Sequence, residues 1–235
     1  MVTPLIVALD VRTAVEAEEL ATRLRLHVGG FKVGLELLMG EGPSVVARLV
    51  ELGSPVFVDA KLHDIPNTVA RAARRLGVLG ARWVTVHASG GEEMVRVAAE
   101  ALADSSEGKA GALAVTVLTS LDEHGLNAVG VDRPLGDHVA AMAQIGAKAG
   151  AEGVVCAVTE AARVKELGLD LIVVTPGIRP AGAESSDQRR VATPGAAITS
   201  GADLLVVGRP ITSAPDPVAA AIAIVDEIAS ALSTA

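Results

Sequence analysis

The stretch VFVDAKLHDIPNTVARAARRLGVL, residues 56–79, joins a short apolar run to a longer alanine-rich segment. The run has the length and the β-branched content of a buried strand, and Pro66 suits the first turn of a helix. We therefore predict a strand over 56–60 and a helix over 66–79. Charged residues lie between the two elements, in the loop that connects the predicted strand to the predicted helix.

The same pairing of a short run with a longer segment recurs along the whole chain. Alternation of this kind implies a parallel sheet, and eight units are the number that closes a (β/α)₈ barrel. We predict an α/β protein with a single (β/α)₈ TIM-barrel domain over residues 1–235, and a doubly wound open sheet is the alternative. The predicted strands are 5–10, 31–34, 56–60, 83–88, 112–118, 153–157, 171–175 and 204–208, and the predicted helices are 13–26, 43–52, 66–79, 91–104, 136–149, 159–167, 193–200 and 216–232.

The composition excludes several classes of protein. A formal net charge of −8 argues against a surface for nucleic acid or for an anionic membrane. The single cysteine, Cys156, excludes an internal disulfide, and the five scattered histidines offer no Cys/His metal spacing. The first ten residues lack a secretory signal, and no apolar run reaches the roughly 18 residues that span a bilayer. We therefore expect a cytoplasmic protein that holds any anionic ligand in a local site.

Asp59, Lys61 and Asp64 place two carboxylates around one lysine at the end of the third predicted strand. Because successive side chains of a strand point to opposite faces, Asp59 and Lys61 are expected to share a face. Each carboxylate favours the protonated form of the lysine. Lys61 is therefore predicted to be a proton donor rather than a Schiff-base nucleophile. For this spacing alone, a surface ion pair worth about 0–1 kcal/mol is the alternative.

Lys32 lies inside the second predicted strand, in FKVG. It alternates with Phe31 and Val33, so it faces the barrel interior if those two side chains face the helices. A charge in that position is costly unless it is paired, and Asp59 on the next strand is the obvious partner. The alternative is a lysine at a strand end whose side chain extends to solvent.

Other polar residues follow the predicted strands at the C-terminal mouth, where barrels of this kind hold their chemistry. Asp10 ends the first strand, and Thr119 and Ser120 follow the fifth. These three positions are candidates for contacts with a ligand.

Two loops have the features of a phosphate site. Gly208 lets the backbone approach an anion closely, and Arg209 adds a forked, permanently charged donor. Arg179, in TPGIRP, opens a long loop that runs through Gln188. Loops after the seventh and eighth strands are the usual phosphate site of these barrels, so we predict a phosphorylated ligand.

Eight ordered blocks of this sequence resemble the orotidine 5′-phosphate decarboxylase family and together span nearly the whole chain. DAKLHDIPNT is close to diagnostic alone, and its visible departure is Ala60, where leucine is common. The blocks are ALD at 8–10, FKVG at 31–34, DAKLHDIPNT at 59–68, VHASGG at 86–91, VTVLTS at 115–120, VTPGIRP at 174–180, DQRR at 187–190 and VVGRP at 206–210.

The resemblance implies a decarboxylation of orotidine 5′-monophosphate to uridine 5′-monophosphate that needs neither a metal nor a cofactor. This is the last step of de novo pyrimidine nucleotide synthesis. The resemblance further implies that Lys32, Asp59, Lys61 and Asp64 form a network of alternating charges. Lys61 would donate the proton to C6 of the pyrimidine.

The resemblance also implies a homodimer with two active sites at its interface, where Asp64, Ile65 and Thr68 reach the site of the neighbouring subunit. Thr119 or Ser120 would contact the pyrimidine edge. The ribose hydroxyls would be held by Asp10, Lys32 and the neighbour's Asp64 and Thr68, the phosphate by Arg179, Gly208 and Arg209, and Gln188 would bridge ring and phosphate.

Two alternatives stay open on the residues. A 3-keto-gulonate 6-phosphate decarboxylase or a hexulose-phosphate synthase shares the D-x-K-x-x-D barrel but uses a metal-stabilised enediolate. Lys32 and the DQRR segment favour the nucleotide enzyme, because a lysine in place of a metal-side carboxylate repels Mg²⁺. The other alternative is a non-catalytic phosphate-binding barrel, which has no need of a buried four-charge network that costs desolvation energy.

Overall fold

The structure is a computed structural model that describes residues 3–180 and 192–234. In these ranges eight parallel strands pair in chain order and close into a barrel, with β8 against β1. The predicted barrel is therefore confirmed, and the open sheet is excluded. The strands are β1 (Leu5–Ala8), β2 (Gly30–Val33), β3 (Val56–Leu62), β4 (Trp83–His87), β5 (Gly111–Val115), β6 (Gly153–Val155), β7 (Ile172–Thr175) and β8 (Leu204–Val207).

Each of the eight predicted helices is present, with ends shifted by a few residues. Three short helices were not predicted, namely α2, α6 and α10, because segments of four to seven residues carry too little periodicity to read. The helices are α1 (Ala14–Leu24), α2 (Leu35–Glu41), α3 (Ser44–Val50), α4 (Pro66–Val78), α5 (Glu92–Ser105), α6 (Glu123–Ala128), α7 (Leu135–Lys148), α8 (Val158–Glu166), α9 (Pro194–Thr199), α10 (Arg209–Thr212) and α11 (Pro217–Thr234). None of the helices in the described ranges is long and apolar enough to cross a membrane.

Local hydrogen bonds explain where several helices begin. Thr13 and Glu16 form a reciprocal capping box at the start of α1. The Asp216 carboxylate accepts from the first free amides of α11. Helix α8 begins at Val158, one residue before its predicted start, and its buried Glu160 accepts from the amide of Ala157.

Side chains alternate between two apolar layers. Phe31 and Val33 of β2 and Val58 of β3 belong to the layer between the strands and the helices. The layer inside the barrel is made by Ile6, Ala8, Phe57, Trp83, Leu113, Val174 and Val206. Lys32 lies between two outward-facing neighbours and is 9% exposed, so it faces the interior as predicted. The apolar interior layer thus forms a base beneath the charged groups at the C-terminal ends of the strands.

Candidate active site

A cavity of about 500 Å³ opens at the C-terminal mouth of the barrel. Its apolar wall comes from strand residues such as Ala8, Phe57, Val155 and Val206, and its polar wall comes from the strand ends and the loops beyond them. The polar and glycine residues that line it are Asp10, Lys32, Glu36, Asp59, Lys61, Thr119, Gly177, Arg179, Gly208 and Arg209. The cavity therefore brings together residues from six of the eight sequence blocks in one space of mixed polarity.

Two lysines and two aspartates form a connected charge network on one side of this cavity. Lys61 Nζ lies 2.8 Å from each Asp59 carboxylate oxygen. Lys32 Nζ lies 3.6 Å from Asp59 Oδ2 and 3.3 Å from Asp10 Oδ1. Gly34 leaves room for this arrangement, because a Cβ there would lie 3.1 Å from both Asp10 Oδ1 and Lys32 Nζ. The predicted pairing of Lys32 with Asp59 is confirmed.

An irregularity in β3 positions Lys61. Val58 pairs with Val84 and Leu62 pairs with Val86, so four residue steps on β3 match two on β4. Lys61 lies inside this bulge with φ of 46°, in the left-handed region that non-glycine residues seldom adopt. Regular alternation predicted that Asp59 and Lys61 share a face. The structure brings their charged groups together, but it does so through a bulge rather than a regular strand.

The charges around Asp59 outweigh the effect of its burial. Burial alone raises the pKa of the Asp59 carboxyl, but Lys32, Lys61 and a hydrogen bond from Thr85 together hold it below the ordinary value. His87 stacks on His63 at a ring separation of 5.3 Å beside this network. Burial, reinforced by the neighbouring His63 and Lys61, lowers the pKa of His87. Asp59 is thus an anion and His87 is neutral at physiological pH.

Two arginines, Arg179 and Arg209, line the cavity from the segments that follow β7 and β8. Arg179 donates from its backbone amide to Ala192 O at 2.9 Å and from Nη1 to Ile178 O at 2.8 Å. A bridge between Ile178 and Ala192 holds together the two ends of the segment that runs through Gln188. Gln188 itself lies outside the described residues. Arg209 begins α10 directly after Gly208, so the backbone turn carries its guanidinium to the cavity.

Four predicted site residues do not line the cavity of this chain. Asp64, Ile65 and Thr68 lie in the exposed run that follows β3, and the Asp64 carboxylate accepts from the amide of Ile65 at 2.6 Å. Ser120 is also exposed, whereas Thr119 lines the cavity. Of the two residues left open for the pyrimidine contact, Thr119 is the one that lines the cavity, and the contact itself stays a prediction.

Sequence reasoning missed two residues of the site. Glu36 lines the cavity from the first turn of α2, a helix that was not predicted. Thr85 contacts both Asp59 and Lys61 from β4. The alternation of side chains within WVTVH could have predicted that Thr85 points into the barrel. Its contacts could not be predicted in this way, because they depend on the bulge in the neighbouring strand β3. No group of three or more His, Cys, Asp or Glu residues within 3–180 and 192–234 is arranged to hold a metal ion.

Comparisons with known proteins give a consistent result. The model of the "Orotidine 5'-phosphate decarboxylase / HUMPS family" matches residues 3–224. A protein of Thermobifida fusca named orotidine 5′-phosphate decarboxylase is 50% identical over 97% of this chain and 97% of its own length. One of the same name from Paramagnetospirillum magneticum is 48% identical over 94% and 96%. The crystal structure of the Lactobacillus acidophilus orotidine 5′-phosphate decarboxylase superposes with a TM-score of 0.85 at 38% identity, covering 96% of this chain and 99% of that one.

Proposed function

The chain belongs to the orotidine 5′-phosphate decarboxylase / HUMPS family, and from that premise we propose how its cavity works. The reaction is the decarboxylation of orotidine 5′-monophosphate to uridine 5′-monophosphate, the final step of UMP biosynthesis. Three relatives that are 48–50% identical over nearly the full length carry the decarboxylase name, which favours this branch of the family. The observation that carries the proposed mechanism is the ammonium of Lys61, held 2.8 Å from Asp59 in the cavity wall.

Lys61 is the proposed proton donor. When the bond from C6 to the carboxylate breaks, carbon dioxide leaves and the electron pair stays on C6, where no carbonyl is placed to delocalise it. An ammonium fixed beside that carbon stabilises charge that develops only in the transition state. Two unit charges 4 Å apart interact by about 4 kcal/mol at an effective dielectric near 20. The ammonium then transfers its proton to C6, and water restores the proton to the amine.

Asp59 and Lys32 are the proposed supports of Lys61. Asp59 fixes the direction of the Lys61 ammonium through two 2.8 Å contacts. The network contains two carboxylates, Asp59 and Asp10. Lys32 lies between them and offsets the negative charge of Asp10, which Lys61 does not contact. The Asp59 carboxylate is also proposed to face the substrate carboxylate and repel it. Asp10 and Lys32 are proposed to hold the ribose hydroxyls.

The phosphate of the substrate is proposed to bind between Arg179 and Arg209, with Gly208 giving close access to the backbone. Both arginines line the same cavity as Lys61, and a dianion there is held by forked donors. Gln188 is proposed to bridge ring and phosphate. Binding energy from the phosphate can then contribute to stabilising the transition state at the reacting carbon.

Arg209→Ala should raise KM strongly and also lower kcat, because phosphate binding both anchors the substrate and supplies binding energy that is used in the transition state. Steady-state kinetics with orotidine 5′-monophosphate measures both constants. Arg133→Ala is a matched control, since that arginine borders a separate surface depression near α6 and should leave both constants unchanged. A KM in Arg209→Ala equal to that of the wild type would remove this residue from the phosphate site.

A homodimer is proposed to complete the site, with Asp64, Ile65 and Thr68 donated to the neighbouring subunit. Residues 63–68 form a continuous exposed run that begins two residues after Lys61, and Ile65 is 66% exposed. Leu35 and Leu118 are exposed apolar side chains beyond β2 and β5 at the same end of the barrel. Apolar side chains left exposed around a charged mouth favour a protein partner over that face.

The test of the function is loss of absorbance on mixing the purified protein with orotidine 5′-monophosphate, with and without EDTA. We expect turnover that is unaffected by the chelator. A sugar-phosphate branch of the family would instead give turnover of a sugar phosphate that EDTA abolishes, since its enediolate needs a metal. We further propose that the chain works as a single barrel domain in the cytoplasm with neither a metal nor an organic cofactor.

A further inference from the structure

We propose that Thr85 is a positioning residue for the reaction, because its hydroxyl holds both the backbone of Lys61 and the carboxylate of Asp59. Thr85 Oγ1 accepts from the amide of Lys61 at 2.8 Å. The same hydroxyl donates to Asp59 Oδ1 at 2.9 Å. One oxygen atom therefore ties the proton donor to its counter-ion, from a strand that contributes neither. This inference rests on the proposed role of Lys61.

The bulge in β3 explains why Lys61 needs such a contact. Between the pairs Val58–Val84 and Leu62–Val86, β3 has two more residues than β4, so its extra backbone groups have no ladder position opposite them. The Thr85 hydroxyl supplies the acceptor that the Lys61 amide would otherwise lack. A non-glycine residue with φ of 46° keeps that conformation only when its surroundings hold it there. Thr85, on the neighbouring strand β4, holds the Lys61 backbone in this conformation through its hydroxyl.

The geometry also fixes the direction of the hydroxyl proton. Because Oγ1 accepts from Lys61 N, its own hydrogen is directed to Asp59, which is one cause of the lowered pKa of the Asp59 carboxyl. Asp59 Oδ1 then receives both Lys61 Nζ and the threonine hydroxyl. Losing the threonine donor leaves the orientation of the carboxylate to the two lysines alone. Lys61 Nζ follows the carboxylate, because both of its short contacts are to that group.

Thr85 acts through its neighbours rather than on the substrate. Thr85 is 1% exposed and is not among the described residues that line the cavity. It lies on β4 between the inward-facing Trp83 and the mouth, directly beneath the charge network. A change there should therefore disturb the chemical step more than substrate binding. This separation between kcat and KM distinguishes positioning from a binding role.

Thr85→Val tests the proposal, because valine keeps the branched shape and removes the hydroxyl. We expect kcat to fall about a hundredfold, the scale at which a misplacement near 1 Å acts, with KM changed by less than about threefold. The affinity for uridine 5′-monophosphate, measured by calorimetry, should stay close to that of the wild type. Thr85→Ser retains the hydroxyl and should restore most of kcat.

Thr116→Val is the matched control. Thr116 is also a buried threonine with one hydroxyl hydrogen bond, 2.8 Å to Val155 O, but it does not touch the charge network. The Thr116→Val variant should lose about as much stability as Thr85→Val and keep the kcat of the wild type. Thermal unfolding of both variants measures the loss of stability, so that a difference in kcat is separated from a general loss of packing.

The pH profile gives a second readout. Removing the Thr85 donor raises the pKa of Asp59 toward its ordinary value, since that hydrogen bond is one of the causes that lower it. A carboxyl with a lowered pKa keeps its charge until the pH falls through the folded value, so the acid limb of kcat/KM should move to higher pH in Thr85→Val.

Several results would overturn the proposal. They are a Thr85→Val variant with kcat within about twofold of the wild type, equal losses of kcat in Thr85→Val and Thr116→Val, or no rescue by serine. If Thr85→Val does not fold, Thr85→Cys replaces it with the same expectations, because a thiol is a weak hydrogen-bonding group. The role of Lys61 is tested separately. An active Lys61→Ala variant would contradict that role. An inactive Lys61→Ala variant together with an active Thr85→Val variant would contradict only the inference about Thr85.

Discussion

Lys61→Ala is expected to bind the nucleotide and to lose nearly all turnover. The ammonium acts mainly on the carbanion that develops at C6, so its removal costs transition-state stabilisation rather than ground-state binding. An interaction of about 4 kcal/mol corresponds to roughly a thousandfold in rate, before the lost proton transfer is included. Single-turnover kinetics for the chemical step and calorimetry with uridine 5′-monophosphate measure the two effects separately.

The fold should tolerate this substitution. Asp59 keeps Lys32 and the Thr85 hydroxyl as partners when Lys61 is shortened. Lys148→Ala, at the exposed end of α7, removes a lysine far from the cavity and should leave kcat and affinity unchanged. Retention of more than about a few per cent of kcat in Lys61→Ala would contradict its role as proton donor.

Mixing two inactive variants should restore activity, provided each site takes Lys61 from one subunit and Asp64 from the other. Lys61→Ala and Asp64→Ala homodimers are each expected to be nearly inactive. In a mixed dimer one site lacks both groups, while the other receives Lys61 from one chain and Asp64 from the other. After random exchange about half of the dimers are mixed, so roughly a quarter of all sites should work in a closed two-fold dimer.

The experiment unfolds and refolds equal amounts of the two variants together and then measures decarboxylation. Each variant refolded alone is the control, and native mass spectrometry confirms that subunits have exchanged. In this structure Asp64 is exposed and its carboxylate contacts the amide of Ile65 in its own chain. A confirmed mixture that stays as inactive as its parents would show that Asp64 acts within its own subunit.

Local sequence patterns were sufficient for the barrel and for much of the charge network. Strand-to-helix alternation predicted eight units, and the alternation of Phe31, Lys32 and Val33 placed the lysine inside the barrel. These predictions hold because burial of one strand face is decided by periodicity within a few residues. The ends of elements were less accurate. The first strand, for example, ends at Ala8 rather than at Asp10.

The amino-acid sequence by itself determined which groups carry charge, which strand ends they follow and to which family the chain belongs. The tertiary structure alone decided how Lys61 meets Asp59, because the bulge arises from a mismatch in pairing between β3 and β4. It also decided that Thr85 joins them and that Glu36 lines the cavity from a helix too short to predict. Each of these features depends on contacts between strands or helices that are distant in sequence, where local periodicity carries no information.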